Sequence, residues 1–469
     1  MIAARLLTAL AVAACAAGAT GCVSPHDRGA VDGGQPISDG TPASGPEARP
    51  DATTASASAA DASVVLGADA GAPPAGGARA DAGAPGGGDA RAQALPPGTV
   101  LWNVRGTPRG NAIAVSAGTV FVAGNLHGTD NLADTVLTPH GTEDDGWLAA
   151  FGDGGQVLWA KAIGGDGSDD LRSLVTTASG EVVVGGVSDA AVDFGGGPLA
   201  TAPAVGSGLL ARYTRGGAFV WAARTVNVDF LLPLGMQYLA VGTQAVGETY
   251  GERGAVVPGF HLALPGMTPA AALDGHGGLV TGGSFNRTQT VGPSTLTLQS
   301  RSDAYVARFS SSGQALWAQA LSGSGGAFIQ TGGIAVDAAG DVYASGGFYA
   351  DVNLGGTRHA FPGGGIFLAK LGGSDGRVVW ARAFASPNVV GGALAADGDG
   401  VLWAGGASGT TDLGAGMLEP TSQYAGFVAR FSLGGELRWA ATAPAEVTAF
   451  AVTPDSIYTA GYAVSRLQR

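Results

Sequence analysis

Residues 331–386 read TGGIAVDAAGDVYASGGFYADVNLGGTRHAFPGGGIFLAKLGGSDGRVVWARAFAS. The stretch parses into four short apolar runs. GGIAVD is followed by the turn AAGD and then by VYASGGF, which ends in paired glycines. A loop leads to IFLAKL, and the turn GGSDG leads to RVVWARAF, centred on Trp380. Runs rich in Val, Ile, Phe, Tyr and Trp, bounded by Gly and Asp, are strands joined by tight turns. Four strands in about 60 residues is the size of one propeller blade.

The same order recurs along the chain. Residues 111–164 hold IAVSAGTVFVAG, GWLAAF and VLWAKAI, and residues 171–226 hold SLVTTASGEVVVGG, GLLARY and FVWAART. Residues 268–322 hold AAALDGHGGLVTGGSF, AYVARF and ALWAQAL, and residues 390–444 hold GALAADGDGVLWAGG, GFVARF and LRWAATA. The shared marks are a Gly-rich second strand, a third strand of the type VARF, and a tryptophan in the fourth. The paired glycines Gly185-Gly186, Gly282-Gly283, Gly346-Gly347 and Gly405-Gly406 point to crowded backbones or bulges.

Trp221 and Trp317 lie 96 residues apart, too far for one blade. The interval holds a degenerate copy, Asp229–Gly266, with FLLPLGMQYLAVGTQ, a loop, and GFHLALPG as third strand; no clear fourth strand follows. Counting that copy gives a seven-bladed β-propeller, and omitting it gives six blades. The ends supply the last blade. The C-terminal AFAVTPDSIYTAGYAVSRLQR matches strands one to three, and Thr99–Gly106 (TVLWNVRG) matches a tryptophan strand that no strands precede. Val100–Val104 is therefore expected to complete the last blade and close the ring, removing an open edge. A parallel β-helix also stacks Gly-rich strands, but its repeat would be shorter and its ends would not complement each other.

From Thr99 to Arg469 the chain resembles the bacterial proteins built of seven-bladed propeller repeats, found in secreted and lipoprotein settings. The resemblance rests on Gly332–Gly347 (GGIAVDAAGDVYASGG), on the turns Asp193-Phe194-Gly195-Gly196, Asn353-Leu354-Gly355-Gly356 and Asp412-Leu413-Gly414, and on pairs such as AYVARF with ALW. It implies fold and no common activity. Segments such as Asp153–Trp159 and Asp375–Trp380 are also similar to the tryptophan docking repeat of quinoprotein and outer-membrane assembly propellers. Gly154, Gly155 and Ser310–Gly313 depart from its usual spacing.

The first 98 residues are of a different kind. Residues 1–22, MIAARLLTALAVAACAAGATGC, place Arg5 before an apolar run and small residues, as in an export signal. Ala19-Thr20-Gly21-Cys22 resembles a bacterial lipobox. Val12-Ala13-Ala14-Cys15 also fits, but cleavage before Cys15 would leave a very short signal, so Cys22 is the expected lipidation site. Residues 23–98, rich in Ala, Gly, Pro, Asp and Ser, lack the apolar area to offset ordering entropy and are expected to form a disordered tether. Its root-mean-square reach is roughly 50 Å. The propeller is assigned to residues 99–469. The protein is thus expected to be exported and held at the cell envelope through lipid, probing its surroundings as a monomer.

Charge and motifs narrow the function. The net charge of −13, with lysine only at Lys161 and Lys370, excludes a nucleic-acid partner. Residues 99–469 carry 28 acidic and 19 basic side chains, a mild solubilising excess. Both cysteines lie within the first 22 residues, leaving no thiol chemistry for the propeller. Asp337/Asp341, Asp397/Asp399 and the trio Asp166, Asp169, Asp170 are conceivable calcium ligands, but pairs like these more often cap hairpin turns. His127, His140, His261, His276 and His359 show no metal-ligand spacing, and no nucleophile elbow occurs. No catalytic, cofactor or metal residue is assigned, and no cofactor is expected. Trp159, Trp221, Trp317, Trp380 and Trp439, one per blade, are expected to pack between blades, whereas Trp147 and Trp403 lie off that position and are candidates for a separate role.

Binding is expected in the loops between second and third strands: His127–Asp145, Gly247–Arg253, Asn286–Asp303 and Asp351–Gly365. The leading functional expectation is a non-enzymatic binding or scaffold module for an unknown protein or glycan. The alternatives are a lyase or hydrolase acting on extracellular polymer at the channel and, by fold analogy alone, a role in envelope assembly. Ionisable groups converging on one channel mouth from several blades would keep the enzyme alternative open.

Overall fold

The computed structural model describes residues 95–469, apart from 201–207, 226–227, 235, 243–246, 258–263, 386–388, 408–410, 415 and 419–424. The signal and residues 23–94 of the tether, with Cys15 and Cys22, lie outside the described residues, as does His261. The described chain is all β and forms seven four-stranded blades. The inner strands are Arg109–Ser116, Asp169–Thr176, Phe230–Leu234, Met267–Leu273, Ala327–Val336, Val389–Asp397 and Val447–Val452, which start blades 1 to 7 in that order. Residues from all seven line a central channel.

The second and third strands of a blade are buried on both faces, as in Val342–Phe348 and Gly365–Leu371. Each is sandwiched between two neighbouring blades, so its sequence is a continuous apolar run and not an alternation. The buried side chains accordingly fall into seven clusters, each shared by two adjacent blades.

Closure follows the expectation. Val100–Arg105 pairs antiparallel with Ala463–Gln468, Val104 opposite Val464. The Gly98 N–H donates to the Gln468 carbonyl at 2.8 Å, and the Gln468 N–H to that of Thr99 at 2.8 Å. Trp102 Nε1 then donates to the Asp153 carbonyl of blade 1 at 2.7 Å, while Tyr458 and Arg466 of blade 7 reach the Asp153 carboxylate at 2.9 and 2.8 Å.

That tryptophan contact repeats around the ring. Trp159, Trp221, Trp317 and Trp380 donate to the carbonyls of Arg215, Glu252, Gly373 and Leu433, each in the last turn of the following blade. Each indole lies over a turn glycine at positive φ. A Cβ on Gly376 (φ +70°) would come within 2.4 Å of the Trp317 ring. The repeated tryptophans thus hold blade to blade, as expected. Trp147 and Trp403 are wholly buried, Trp147 donating to the Arg109 carbonyl and Trp403 packing edge-on against Phe427, so both are core side chains without a ligand-facing role.

Blade 3 differs from expectation. Its third strand is Gly247–Gly251 and its fourth Val256–Val257, after Gln237–Val241. The region read as the loop 247–253 is therefore mostly strand, and GFHLALPG is not the third strand. The polar GETYG run does not look like a strand, yet Tyr250 is buried among Val228, Leu231 and Tyr238.

Candidate binding site at the channel mouth

The glycines of the second strands shape this site. A Cβ on Gly124, Gly186 or Gly461 would lie 1.9, 2.0 or 1.8 Å from the carbonyl oxygen of Arg109, Asp170 or Glu446 on the inner strand alongside. Only glycine tolerates that approach, and the approach accompanies a bulge. Register shifts between Gly110 and Ala112, Leu171 and Ser173, and Val447 and Ala449 leave Asn111, Arg172 and Thr448 without strand partners. A bulge re-aims its extra side chain, and these three line the channel.

They lie near the starts of their inner strands. Because adjacent strands run antiparallel, the loops between second and third strands open on this same face. The hairpins Asp130–Leu132 with Thr135–Leu137, Gln289–Val291 with Ser294–Leu296, and Asp351–Leu354 with Thr357–Ala360 therefore surround the mouth's face of the ring. Three of the four loops singled out in the sequence lie there.

Four blades bring polar groups to the mouth. Arg172 of blade 2 donates from Nε to Asp170 and from Nη1 to Asp229 of blade 3, each at 2.6 Å. Burial opposes the guanidinium's charge, but the two carboxylates outweigh it and raise its pKa. Asn111 of blade 1 donates to the Leu171 carbonyl at 3.1 Å and to Asp170 at 3.3 Å, and accepts from Arg109 at 3.1 Å. Thr448 of blade 7 donates to the Ala460 carbonyl at 3.0 Å and also contacts the Gly110 carbonyl. Beside it, burial raises the Glu446 carboxyl, with Arg109 working against the shift. Among the described residues, blades 4 to 6 contribute the apolar Ala271, Ala272, Ile334, Ala393 and Leu394 to the lining. Its cavity holds about 200 Å³, below the usual range of sites that engulf a whole small ligand.

The other candidates are structural. The opposite face carries ion pairs that tie each first turn to the third strand: Asp274 to Arg308 at 2.9 Å, Asp337 and Asp341 to Lys370 at 3.0 Å each, and Asp397 to Arg430 at 2.7 Å. The basic residue of the VARF motif is thus a partner for the turn aspartate. Asp166 is exposed, Asp169 is buried and Asp170 is held by Arg172, so that trio is not brought together as a ligand set. Among the described residues, no group of three or more His, Cys, Asp or Glu is arranged to hold a metal. His127 and His140 face Asp144 and Asp145 at 2.6 and 2.8 Å, His276 bonds its own turn, and His359 sits on a hairpin strand. The mouth residues Asn111, Arg172, Asp229 and Thr448 were not singled out from sequence. The signal available was the glycine pairs, which mark where an inner strand bulges.

No family model and no curated protein matches the chain. Similar solved structures are propellers. The WD40 propeller domain of Doa1 covers 79% of this chain and 97% of its own at 10% identity and a TM-score of 0.43. The RRP9 WD40 repeats cover 79% and 98% at 12% identity and 0.48. BamB from Moraxella catarrhalis covers 79% and 99% at 12% identity and 0.40. The assignment as a seven-bladed β-propeller rests on the chain's own strands and closure, and that architecture is compatible with a binding or scaffold role.

Proposed function

We propose that this chain is a non-enzymatic binding propeller, lipid-anchored at the cell envelope through Cys22, that takes a protein or glycan ligand on the face carrying the channel mouth. The observation that carries the reading is the convergence of Asn111, Arg172, Asp229 and Thr448 from four blades, three of them on bulges. A cavity of about 200 Å³ suits an inserted side chain or sugar substituent, with the surrounding hairpins supplying the rest of the contact. Export, anchoring and an outer-membrane location rest on residues 1–22 alone.

The lyase or hydrolase alternative has one observation in its favour, the raised Glu446 carboxyl beside Arg109. Against it, the Arg172, Asp170 and Asp229 charges are spent on one another, and the cavity is too small to enclose a polymer. Photo-crosslinking in intact cells tests the proposal. A crosslinker at Val136, on the hairpin of blade 1, should capture a partner that one at Arg377, on the opposite face, does not. Arg172→Ala should abolish the capture, and Cys22→Ala should shift the protein out of the membrane fraction. Equal capture from both faces, or capture indifferent to Arg172, would refute the site.

A further inference from the structure

We propose that the seam between blades 1 and 2 is a proton-operated latch on the 127–144 loop, in which the buried Asp169 carboxyl, set beside the buried Asp145, takes up a proton. Asp145 begins the third strand of blade 1 and is wholly buried. Its Oδ2 accepts the His140 N–H at 2.8 Å and faces His140 Nδ1 at 2.8 Å. Asp169 begins the inner strand of blade 2 and is 1% exposed. Its Oδ2 accepts the Gly165 N–H at 2.9 Å, and its own N–H donates to the Asp144 carbonyl at 2.8 Å. Both carboxylates rest on Gly164-Gly165, since a Cβ on Gly164 would fall 2.2 Å from Asp145 Cγ. Each keeps one oxygen, Oδ1, buried with no hydrogen-bond partner among the described residues.

The repeat supplies an internal control. Asp303 holds the position of Asp145 in blade 4, but both of its oxygens are satisfied, by the Gln299 N–H at 2.6 Å and the Ser300 hydroxyl at 2.7 Å. The residue matching Asp169 there is Ala327, whose N–H donates to the Ser302 carbonyl at 3.1 Å as that of Asp169 does to Asp144. Blade 2 therefore adds a second carboxylate where the repeat manages with alanine, and in blade 1 no hydroxyl bonds Asp145 as Ser300 bonds Asp303. Two carboxyls buried at one site disfavour a second negative charge there.

The charged groups acting on Asp169 are few. Burial raises its pKa most. Hydrogen bonds from Ser188 and Gly165 oppose the rise, the charges of Asp145 and Asp189 add to it, and the result is about 6. Arg224, on the outer strand of blade 2, feels the Asp169 charge in turn. On the loop, His140 faces Asp145 and His127 faces Asp144. A carboxyl whose folded-state pKa exceeds its unfolded value adds stability below the unfolded value, and that stability is lost as pH rises through the folded one. For Asp169 the loss runs from near 3.8 to about 6. The seam is tight in mild acid and takes on the buried Asp169 charge at neutral pH.

The test uses the full chain at pH 5 and pH 7.5, following melting temperature and amide exchange of residues 127–144 corrected for intrinsic rates. Wild type should melt higher and exchange more slowly at pH 5, with a midpoint near 6. Asp169→Ala, which copies blade 5, should remove the pH response of exchange at residues 127–144, and there at pH 7.5 should match wild type at pH 5. A flat wild-type profile overturns the proposal. So does Asp169→Ala that keeps the pH response or fails to fold, because the neutral seam must be the tighter state. A response lost only in the double variant His127→Gln/His140→Gln assigns the effect to the histidines and overturns it equally.

Discussion

Blades 5 and 3 are built from the same plan and keep it to very different degrees. Blade 5 has an outer strand of eight residues, Val378–Ala385, whose Trp380 docks on blade 6, and a buried Lys370 held between Asp337 and Asp341. Blade 3 has an outer strand of two residues, Val256–Val257, with Val256 exposed. In the sequence Pro258 stands four places after Gly254, where the other blades have Trp102, Trp159, Trp221, Trp317, Trp380 and Trp439 four places after their turn glycines. Blade 3 is held in part by its neighbour, whose Trp221 donates to Glu252. Yet blade 3 gives Asp229, the partner of Arg172, to the channel mouth, where the described lining residue of blade 5 is the apolar Ile334. The residues that repeat hold the ring, and the residues that break the repeat carry the recognisable polar chemistry.

The largest test of that division is closure. Deleting residues 99–106 removes the outer strand of blade 7 and the Trp102 contact to Asp153 together. It exposes both a sheet edge and an interblade core, and should cost about 5 kcal/mol or more. Thermal unfolding checks it, and an unaltered melting curve would show that ring integrity does not depend on the seventh blade.

A smaller effect comes from comparing outer strands directly. Trp380→Ala removes a side chain packed against Tyr343 and the hydrogen bond to Leu433, and should cost about 3–4 kcal/mol. Val256→Ala in blade 3 removes an exposed side chain and should stay within about 0.5 kcal/mol. Denaturant unfolding of the two variants measures the contrast. Equal losses would mean that blade 3 depends on its outer strand as much as blade 5 does.

Much of this architecture was legible in the sequence because it is periodic. The Trp strands, the VARF strands and the glycine pairs recur, and Val100–Val104 could be placed because the last blade lacked one strand of its own. The third strand of blade 3 was not legible: GETYG has little apolar character, and its assignment comes from pairing with Gln237–Val241 and from the burial of Tyr250. GFHLALPG looked more like a strand by composition, and composition misled. The mouth was illegible for a related reason. Asn111, Arg172 and Thr448 are unremarkable polar residues within apolar strands until the bulge turns them into the channel, and a bulge is a property of two strands together. The turn aspartates were read correctly as turn residues, but their basic partners are far off in sequence, as for Asp341 with Lys370 and Asp274 with Arg308.

The sharpest form of the comparison is Asn111→Ala. Its side chain bonds to Leu171, Asp170, Arg109 and Asn125. The bulge that presents it is fixed by the backbone approach at Gly124, which the substitution leaves alone. The cost in stability should be about 1 kcal/mol. Ligand capture at the mouth should nevertheless fall, because the substitution removes a donor and an acceptor from the polar side of the channel. Trp380→Ala should behave in the opposite way, lowering the melting temperature while the folded fraction still captures ligand. If Asn111→Ala instead destabilised the ring as severely as Trp380→Ala, the mouth network would belong to the scaffold, and the division between repeating and non-repeating residues would fail at the place where it matters most.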